Sequence, residues 1–280
     1  MVEREHRRTG PAVVAVVTAL GVMAGGTGCA GGGAAAEDAR TGADSVEVVR
    51  QSAAALQRAG SSKARTSMEM ATGGTRVTIR GEGVYDYEER LGQLKVMLPQ
   101  DPAGAAEHRP ITELLAPGAL FMKNRGAGVP ADKWVRVETA TLSDGNLVTG
   151  GATDPFTAAE LLRGTRTATY VGETEVAGTA VRHYRGTADL ELAARRASAG
   201  HRDALKAAAK GFATAVVPFD VYLDDQGRIR KVRHRFSFVN GQRKGTVAVA
   251  STTLLYDFGA PVDVRLPGAA DIFAGKIAEP

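Results

Sequence analysis

The chain has 280 residues, with 35 Lys and Arg against 31 Asp and Glu, a formal net charge of +4 and a single cysteine. Charges that nearly cancel, carried by scattered basic residues, leave no electrostatic footprint for a nucleic-acid partner. One thiol excludes a disulfide framework and any cysteine-based zinc site, and a hydrophobic share of 44% is that of an ordinary globular protein.

Residues 1–28 read as a secretory signal. Arg4, His6, Arg7 and Arg8 form a basic start, 13–24 is a nearly unbroken apolar run, and Gly26-Thr27-Gly28 is a small-residue exit. The apolar run is shorter than the ~20 residues that span a bilayer. Arg7-Arg8 is followed by Thr-Gly-Pro, so it reads as an ordinary basic region rather than a twin-arginine signal. The only cysteine, Cys29, follows directly. Gly26-Thr27-Gly28-Cys29 resembles a bacterial lipobox; Thr27 and Gly28 fit, while Gly26 stands where leucine is usual. That resemblance implies that Cys29 becomes the lipidated first residue of the mature protein, carrying palmitate-type acyl chains. Two or more such chains hold a protein firmly on a membrane, where one holds it only marginally. The competing reading is a plain signal peptide cut near Ala24, leaving an unpaired thiol. Residues 29–43, rich in Gly and Ala, are expected to be a flexible lipid-anchored tether, and 44–280 a single domain.

Asp44 or Ser45 caps an expected helix from Val46 to the stop at Gly60, with Val46, Val49, Ala53 and Leu56 on one face. Strands follow. Thr66, Met68 and Met70, then Val77, Ile79, Tyr85 and Tyr87, then Leu94, Val96 and Leu98 alternate with polar neighbours, the period of a half-buried antiparallel sheet. Short strands are expected at 111–115, 120–123 and 134–137, separated by loops over 99–110 and before Trp134. A polar, Gly-rich loop at 139–154 leads to Asp154-Pro155, which opens a helix ending at Gly164. Strands resume at 167–175 and 181–188. The stretch 189–212 reads as helix, divided at Gly200. Three more strands, at 219–223, 228–239 and 246–258, turn at Asp225-Gln226-Gly227 and Asn240-Gly241. This order predicts an α+β fold: a curved antiparallel half-barrel sheet covered on its concave face by helices.

Catalytic signatures are missing from the text. No HExxH, Gly-x-Ser-x-Gly elbow or Walker pattern is present, and no dinucleotide-type glycine pattern stands between an expected strand and an expected helix. His183 and His234 are the best polar candidates for an active site, and both read as satisfied structural histidines because the sequence places no partner beside either. Asp220, Asp224 and Asp225 suggest a metal cluster, but turn chemistry around Gly227 accounts for Asp224 and Asp225. No metal or other cofactor is expected. Arg228, Arg230, Lys231, Arg233 and Arg235 form the densest basic run; Arg228 and Arg230 are expected on the face of Val232, and Lys231, Arg233 and Arg235 on the other, outer face. The run reads as a solvated strand face, or as a patch for anionic headgroups.

Three segments carry a family resemblance: 174–178 leading into Arg182-His183-Tyr184-Arg185-Gly186-Thr187, 218–232 with its Asp224-Asp225-Gln226-Gly227 turn, and 256–262. They resemble the LppX/LprAFG lipoproteins of actinobacteria, which share the LolA-like fold. The excess of Arg over Lys suits the GC-rich genomes of that group. The resemblance implies a non-catalytic lipoprotein on the extracytoplasmic face of the cell membrane that carries a lipid or glycolipid in a hydrophobic cavity. Its implied partners are lipid or glycolipid acyl chains, the membrane surface met through the anchor, and an envelope transporter; no nucleic acid is among them. Such a carrier shields acyl chain worth about 0.8 kcal/mol per CH₂. Cavity-lining positions are expected at Val77, Ile79, Val221, Leu223, Phe236 and Phe238, each of which also reads as ordinary core. Two rival readings remain: a sensory module of the same fold that binds partner proteins in the envelope, and a hydrolase built on His183 or His234.

Overall fold

The computed structural model describes residues 32–72, 75–99, 109–126, 128–150, 152–240 and 245–275. Cys29, the signal segment, His6 and His108 lie outside these residues. Helix α1 runs Gly32–Arg58. It therefore starts at Gly32 and not at Val46; Ala34 to Ala36 and Ala39 are strong helix formers, and Gly42 alone does not stop them. Six strands follow: β1 Ser61–Thr72, β2 Thr75–Asp86, β3 Leu91–Met97, β4 Ile111–Ala116, β5 Ala119–Lys123 and β6 Trp134–Glu138. Next come α2 Pro155–Leu161, β7 Thr165–Val176, β8 Thr179–Asp189, α3 Leu190–Arg196 and α4 Arg202–Gly211. The order closes with β9 Val216–Leu223, β10 Ile229–Asn240 and β11 Gly245–Tyr256. Among the described residues, no helix is long and apolar enough to cross a membrane.

All eleven strands form one antiparallel sheet in the order β6-β5-β4-β3-β2-β1-β11-β10-β9-β8-β7. It is two meanders, β1–β6 and β7–β11, joined where the first strand pairs with the last, Met68 opposite Ser251 and Ala64 opposite Leu255. At the ~4.8 Å spacing of neighbouring strands, eleven strands laid flat would be about 50 Å wide. Yet one apolar core contains Met122 of β5, Val135 of β6, Tyr85 of β2, Phe219 of β9 and Ala168 of β7, together with side chains of every helix. Such a sheet has to curl around the helices, and it stays open between β6 and β7.

The helices face the core for reasons readable in their caps and spacing. In α1, Val49, Ala53 and Leu56 are fully buried on one side. In α2, Asp154 caps the first turn by accepting from the Phe156 and Thr157 amides at 2.8 and 3.2 Å, and every residue of the helix is buried. Asp189 caps α3 by accepting from the Leu192 amide. Phe156 of α2 meets Tyr85 and Tyr87 at ring distances of 6.0 and 5.8 Å and the edge of His201 at 5.1 Å. This aromatic cluster fills the interior at one end of the half-barrel, the lower pole, where α1 runs into β1 and β7 turns into β8. The upper pole holds the ends of β1 and β2 at Thr72 and Thr75 and of β10 and β11 at Asn240 and Gly245. The C-terminal segment lies across the outer face, where Ile272 bridges Trp134 and packs with Leu114 and Phe121.

The loop over 139–154 is more ordered than its composition suggests. Asp144 accepts from the amides of Asn146, Val148 and Thr149 at 3.1, 2.8 and 2.6 Å. Gly145, in a left-handed conformation, lies so close to α4 that a Cβ there would sit 2.0 Å from the Ala204 carbonyl oxygen. Two variants test this packing by urea unfolding. Phe156→Ala is expected to cost about 3–5 kcal/mol. Gly145→Ala is expected to destabilise as well, since it adds left-handed strain to a backbone clash.

Candidate functional site: an apolar cleft at the upper pole

Core side chains of the sheet run upward into an open cleft of about 470 Å³. Its floor and walls are Met70 of β1, Ile79 of β2, Leu98 beyond β3, Ile111 of β4 and Val148, and its rim is Asn124, Arg125, Gly126 and Thr149. Arg125 reaches across the rim and donates from Nη2 to the Thr149 carbonyl at 3.2 Å. On the other side of the 143–149 segment lies a smaller cleft of about 160 Å³, lined by Val148, Phe212 and Phe238 among others. Phe212 stacks on Phe236 with centroids 5.0 Å apart and stands 6.5 Å from Phe238. The segment held by Asp144 thus divides one apolar mouth into two clefts.

The sequence-derived lining residues divide by pole. Ile79 lines the larger cleft and Phe238 the smaller one. Val77 is partly buried against the core on the same upper stretch of β2. Phe236 is buried beneath Phe212. Val221 and Leu223 lie on the lower half of β9, fully buried in the core. Met70, Leu98, Ile111, Val148 and Arg125 were not singled out from sequence. Met70, Leu98 and Ile111 do carry a signal, since each sits at the upper end of an inward-facing alternation. Arg125 and Val148 sit in loops, where periodicity is silent.

Glu113 lies two residues below Ile111 on the same face of β4. It is 0% exposed, and neither carboxyl oxygen has a hydrogen-bond partner among the described residues. Burial pushes its carboxyl up to about 8, against the pull of Arg125. His234, on β10 opposite Phe219 and Ser251, is fully buried, and burial drives its imidazole down to about 3. Among the described residues its Nε2 has no hydrogen-bond partner, which departs from the expectation of a satisfied histidine; burial holds the ring neutral.

His183 lies on the outer face. It stacks on Tyr222 at 4.3 Å, with Nε2 2.8 Å from Asp220 Oδ1. Asp220 also accepts from Arg185 and Arg235, each at 2.8 Å. Burial alone would raise the Asp220 carboxyl, but the hydrogen bonds from Arg185, Arg235 and His183 outweigh it and hold it at about 2. These partners take up the carboxylate oxygens and tie His183 into an ion cluster. Asp224 anchors the turn, accepting from the Gln226 and Arg228 amides and from Arg228 Nε and Arg230 Nε. Asp225 is exposed. Among the described residues, no three His, Cys, Asp or Glu side chains are grouped to hold a metal. Arg233 and Arg235 lie on the outer face with Asp220, and Lys231 reaches over the Tyr222 ring there. A bulge between Ile229 and Lys231 sends Arg228 and Arg230 together to Asp224 rather than inward with Val232.

No known protein family matches the sequence, and no curated protein matches it. Among solved structures the chain is similar to the lipoprotein LppX of Mycobacterium tuberculosis, with 10% identity, 80% of this chain and 99% of that chain covered, and a TM-score of 0.46. It is also similar to LprF of Mycobacterium bovis, with 13% identity, coverage of 81% and 98%, and a TM-score of 0.41. A third similarity is to the MucA/MucB complex of Pseudomonas aeruginosa, with 14% identity, coverage of 84% and 63%, and a TM-score of 0.32.

The buried ionisable groups set a pH dependence. Glu113 titrates higher folded than unfolded, so the folded state binds its proton more tightly. Stability from this group is complete below the unfolded carboxyl value, near 4.5, and is lost as pH rises towards 8. Glu113→Gln is expected to match the native chain near pH 4.5 and to exceed it in urea midpoint at pH 8. Equal midpoints at pH 8 would show that the carboxyl is solvated in the folded protein.

Proposed function

We propose that this chain is a lipid-anchored extracytoplasmic lipoprotein that binds and carries a lipid or glycolipid, with an acyl chain held in the upper-pole cleft and no covalent chemistry. The observation that carries the reading is the cleft itself. Five apolar side chains continuous with the core line a space of about 470 Å³, and one arginine stands at its rim. That volume is within the ~300–1,000 Å³ range of small-molecule sites, and a few fixed polar groups around an apolar floor suit an amphiphile. Ten buried CH₂ groups would contribute about 8 kcal/mol.

The course of α1 supports the same reading. Arg50 donates to the Thr165 carbonyl at the start of β7, so α1 enters the body at the upper pole and runs down to β1. An acylated Cys29 would place the mouth towards the bilayer from which a lipid is taken. A second reading, a module that binds partner proteins in the envelope, is favoured by Tyr170 and Val171, which are 44% and 52% exposed on the edge strand β7.

Two experiments test the carrier reading. Val148→Glu puts a charge into the cleft and is expected to weaken binding of a fluorescent fatty acid at least tenfold while leaving the thermal midpoint close to that of the native chain. Native mass spectrometry of protein purified from its own host should show bound lipid that the variant lacks; lipid-free native protein, or equal loading of the variant, would refute the assignment. Separately, Cys29→Ser is expected to remove the acyl mass and move the protein from the membrane fraction to the soluble fraction.

A further inference from the structure

The lower pole carries a second cleft, of about 490 Å³, unlike the first in character. It is lined by Arg65, Arg228 and Arg230, by Tyr256 and Phe258, by Val176, Ala177 and Thr179 of the β7–β8 turn, and by the end of β11. We propose that it binds an organic phosphate: a small phosphate ester whose phosphate meets the three guanidinium groups and whose organic part lies against Tyr256, Leu254 and Val176. This proposal does not depend on the acyl-carrier reading.

The arginines are held in place by groups that do not neutralise them. Asp224 is 1% exposed, and both of its oxygens are used. Oδ1 accepts from the Gln226 and Arg228 amides, and Oδ2 accepts from Arg228 Nε at 2.8 Å and Arg230 Nε at 3.1 Å. One carboxylate thus serves two guanidinium groups, which leaves a net positive charge. Each arginine gives Asp224 only its Nε. Their terminal nitrogens make no other hydrogen bond within the described residues, and both side chains remain partly exposed, at 19% and 17%, where they line the cleft. The Phe258 ring lies under both, 4.5 and 4.9 Å from the guanidinium carbons, and restricts their planes.

Arg65 approaches from β1 across the sheet. Its guanidinium carbon sits 5.1 Å from the Tyr256 ring, and it has no acidic partner among the described residues. The other acid on the wall, Asp257, is tied to Lys63 Nζ at 2.8 Å. Three arginines that line one cleft suit an anion with three acceptor oxygens better than a carboxylate with two. The cleft is also larger than a bare phosphate needs, and its remaining wall is apolar or aromatic, which points to an ester.

Isothermal titration of the chain carrying Cys29→Ser, which removes the proposed anchor, with glycerol 3-phosphate, inorganic phosphate and glycerol tests the site, alongside flotation with phosphatidic acid vesicles, whose headgroup is a phosphate monoester. Glycerol 3-phosphate is expected to bind, more weakly as salt is raised, and glycerol is not. Arg65→Gln should weaken that binding about tenfold or more, the loss of one charge-assisted contact, with an unchanged thermal midpoint because Arg65 anchors nothing. Arg230→Gln should weaken it too, but that variant also disturbs Asp224, so Arg65→Gln is the deciding one. Vesicle binding that free glycerol 3-phosphate competes away, and that Arg65→Gln loses, assigns the phosphate to a lipid headgroup. Binding of the free ester without vesicle binding assigns it to a soluble ligand. No binding of ester or vesicles at concentrations on the order of 10 mM, or equal binding by Arg65→Gln, overturns the proposal. Val148→Glu, at the opposite pole, should leave this binding unchanged, so the two clefts are tested separately.

Discussion

Strands β1 and β11 stand at opposite ends of the chain's strand order, yet they pair in register from Lys63 opposite Tyr256 to Ala71 opposite Ala248. Everything else follows from that seam. It turns two meanders into one continuous sheet, and the width of that sheet then decides its shape. Four helices, three of them ten residues or shorter, cannot cover eleven flat strands. The sheet therefore curls until residues of β2 and β10 both reach α2. A seam of this kind brings together segments far apart in sequence, which makes the pairing of β1 with β11 entropically the most costly of the strand pairings.

The curl also explains where free volume remains. Inner-face side chains converge most closely at the lower pole, where Tyr85, Tyr87 and Phe156 fill the interior. Towards the upper pole the inner face is lined by smaller or unbranched side chains, Met70, Ile79 and Ile111, and its cover is a loop rather than a helix. That loop keeps its shape through one carboxylate, Asp144, which satisfies three backbone amides that would otherwise be buried without partners. Two ionisable groups sit close to or within the same inner face with opposite preferences. Glu113 favours the folded state when protonated, and His234 when neutral. Between the unfolded carboxyl and imidazole values the two act against each other, so the chain's pH response in that interval is a difference of two terms.

Much of this was legible in the sequence, and the legible part has a common cause. Strands with one buried face announce themselves by period-two alternation, as Leu94 and Val96 do between Gln93, Lys95 and Met97. Helices bounded by Asp154-Pro155 and by Asp189 announce themselves by cap chemistry. Illegible were the features fixed by contacts between distant residues: which strands neighbour one another across the seam, the bulge that brings Arg228 and Arg230 to one side, and the burial of Asp144 and Asn146 in a stretch whose composition reads as solvated loop. The Ala-rich helices show the limit most plainly. Alanines of α3 and α4 fit either a hollow interior or close approach. Gly164, whose missing Cβ would meet the Ala193 amide at 2.7 Å, and Gly145 against Ala204 show close approach under these helices. Val221 and Leu223 are fully buried in the core, and the open cleft lies higher, beside Ile79.

The two clefts have opposite chemistry, and the fold makes that possible. At the upper pole, inward-facing rows of the strands run out of helix to pack against, and what they leave is apolar. At the lower pole, the cleft opens from the outer side of the sheet, whose alternate residues are Arg65, Leu254 and Tyr256, and the polar row of each strand supplies its lining. One curled sheet thus presents its two faces at its two ends. An amphiphile would use only one end at a time, because the aromatic cluster of Tyr85, Tyr87 and Phe156 stands between them. A phosphate ester at the lower pole and an acyl chain at the upper pole would therefore be separate ligands, coupled only through the strands that line both clefts. Strand β1 is the most direct of these: Arg65 and Met70 lie on the same strand and on opposite faces of it. A shift of β1 along the seam would move both walls together, whereas a local rotamer change would move one. Any coupling between the poles would thus take the form of register or twist in the β1–β11 pair, the same contact that holds the half-barrel as one sheet.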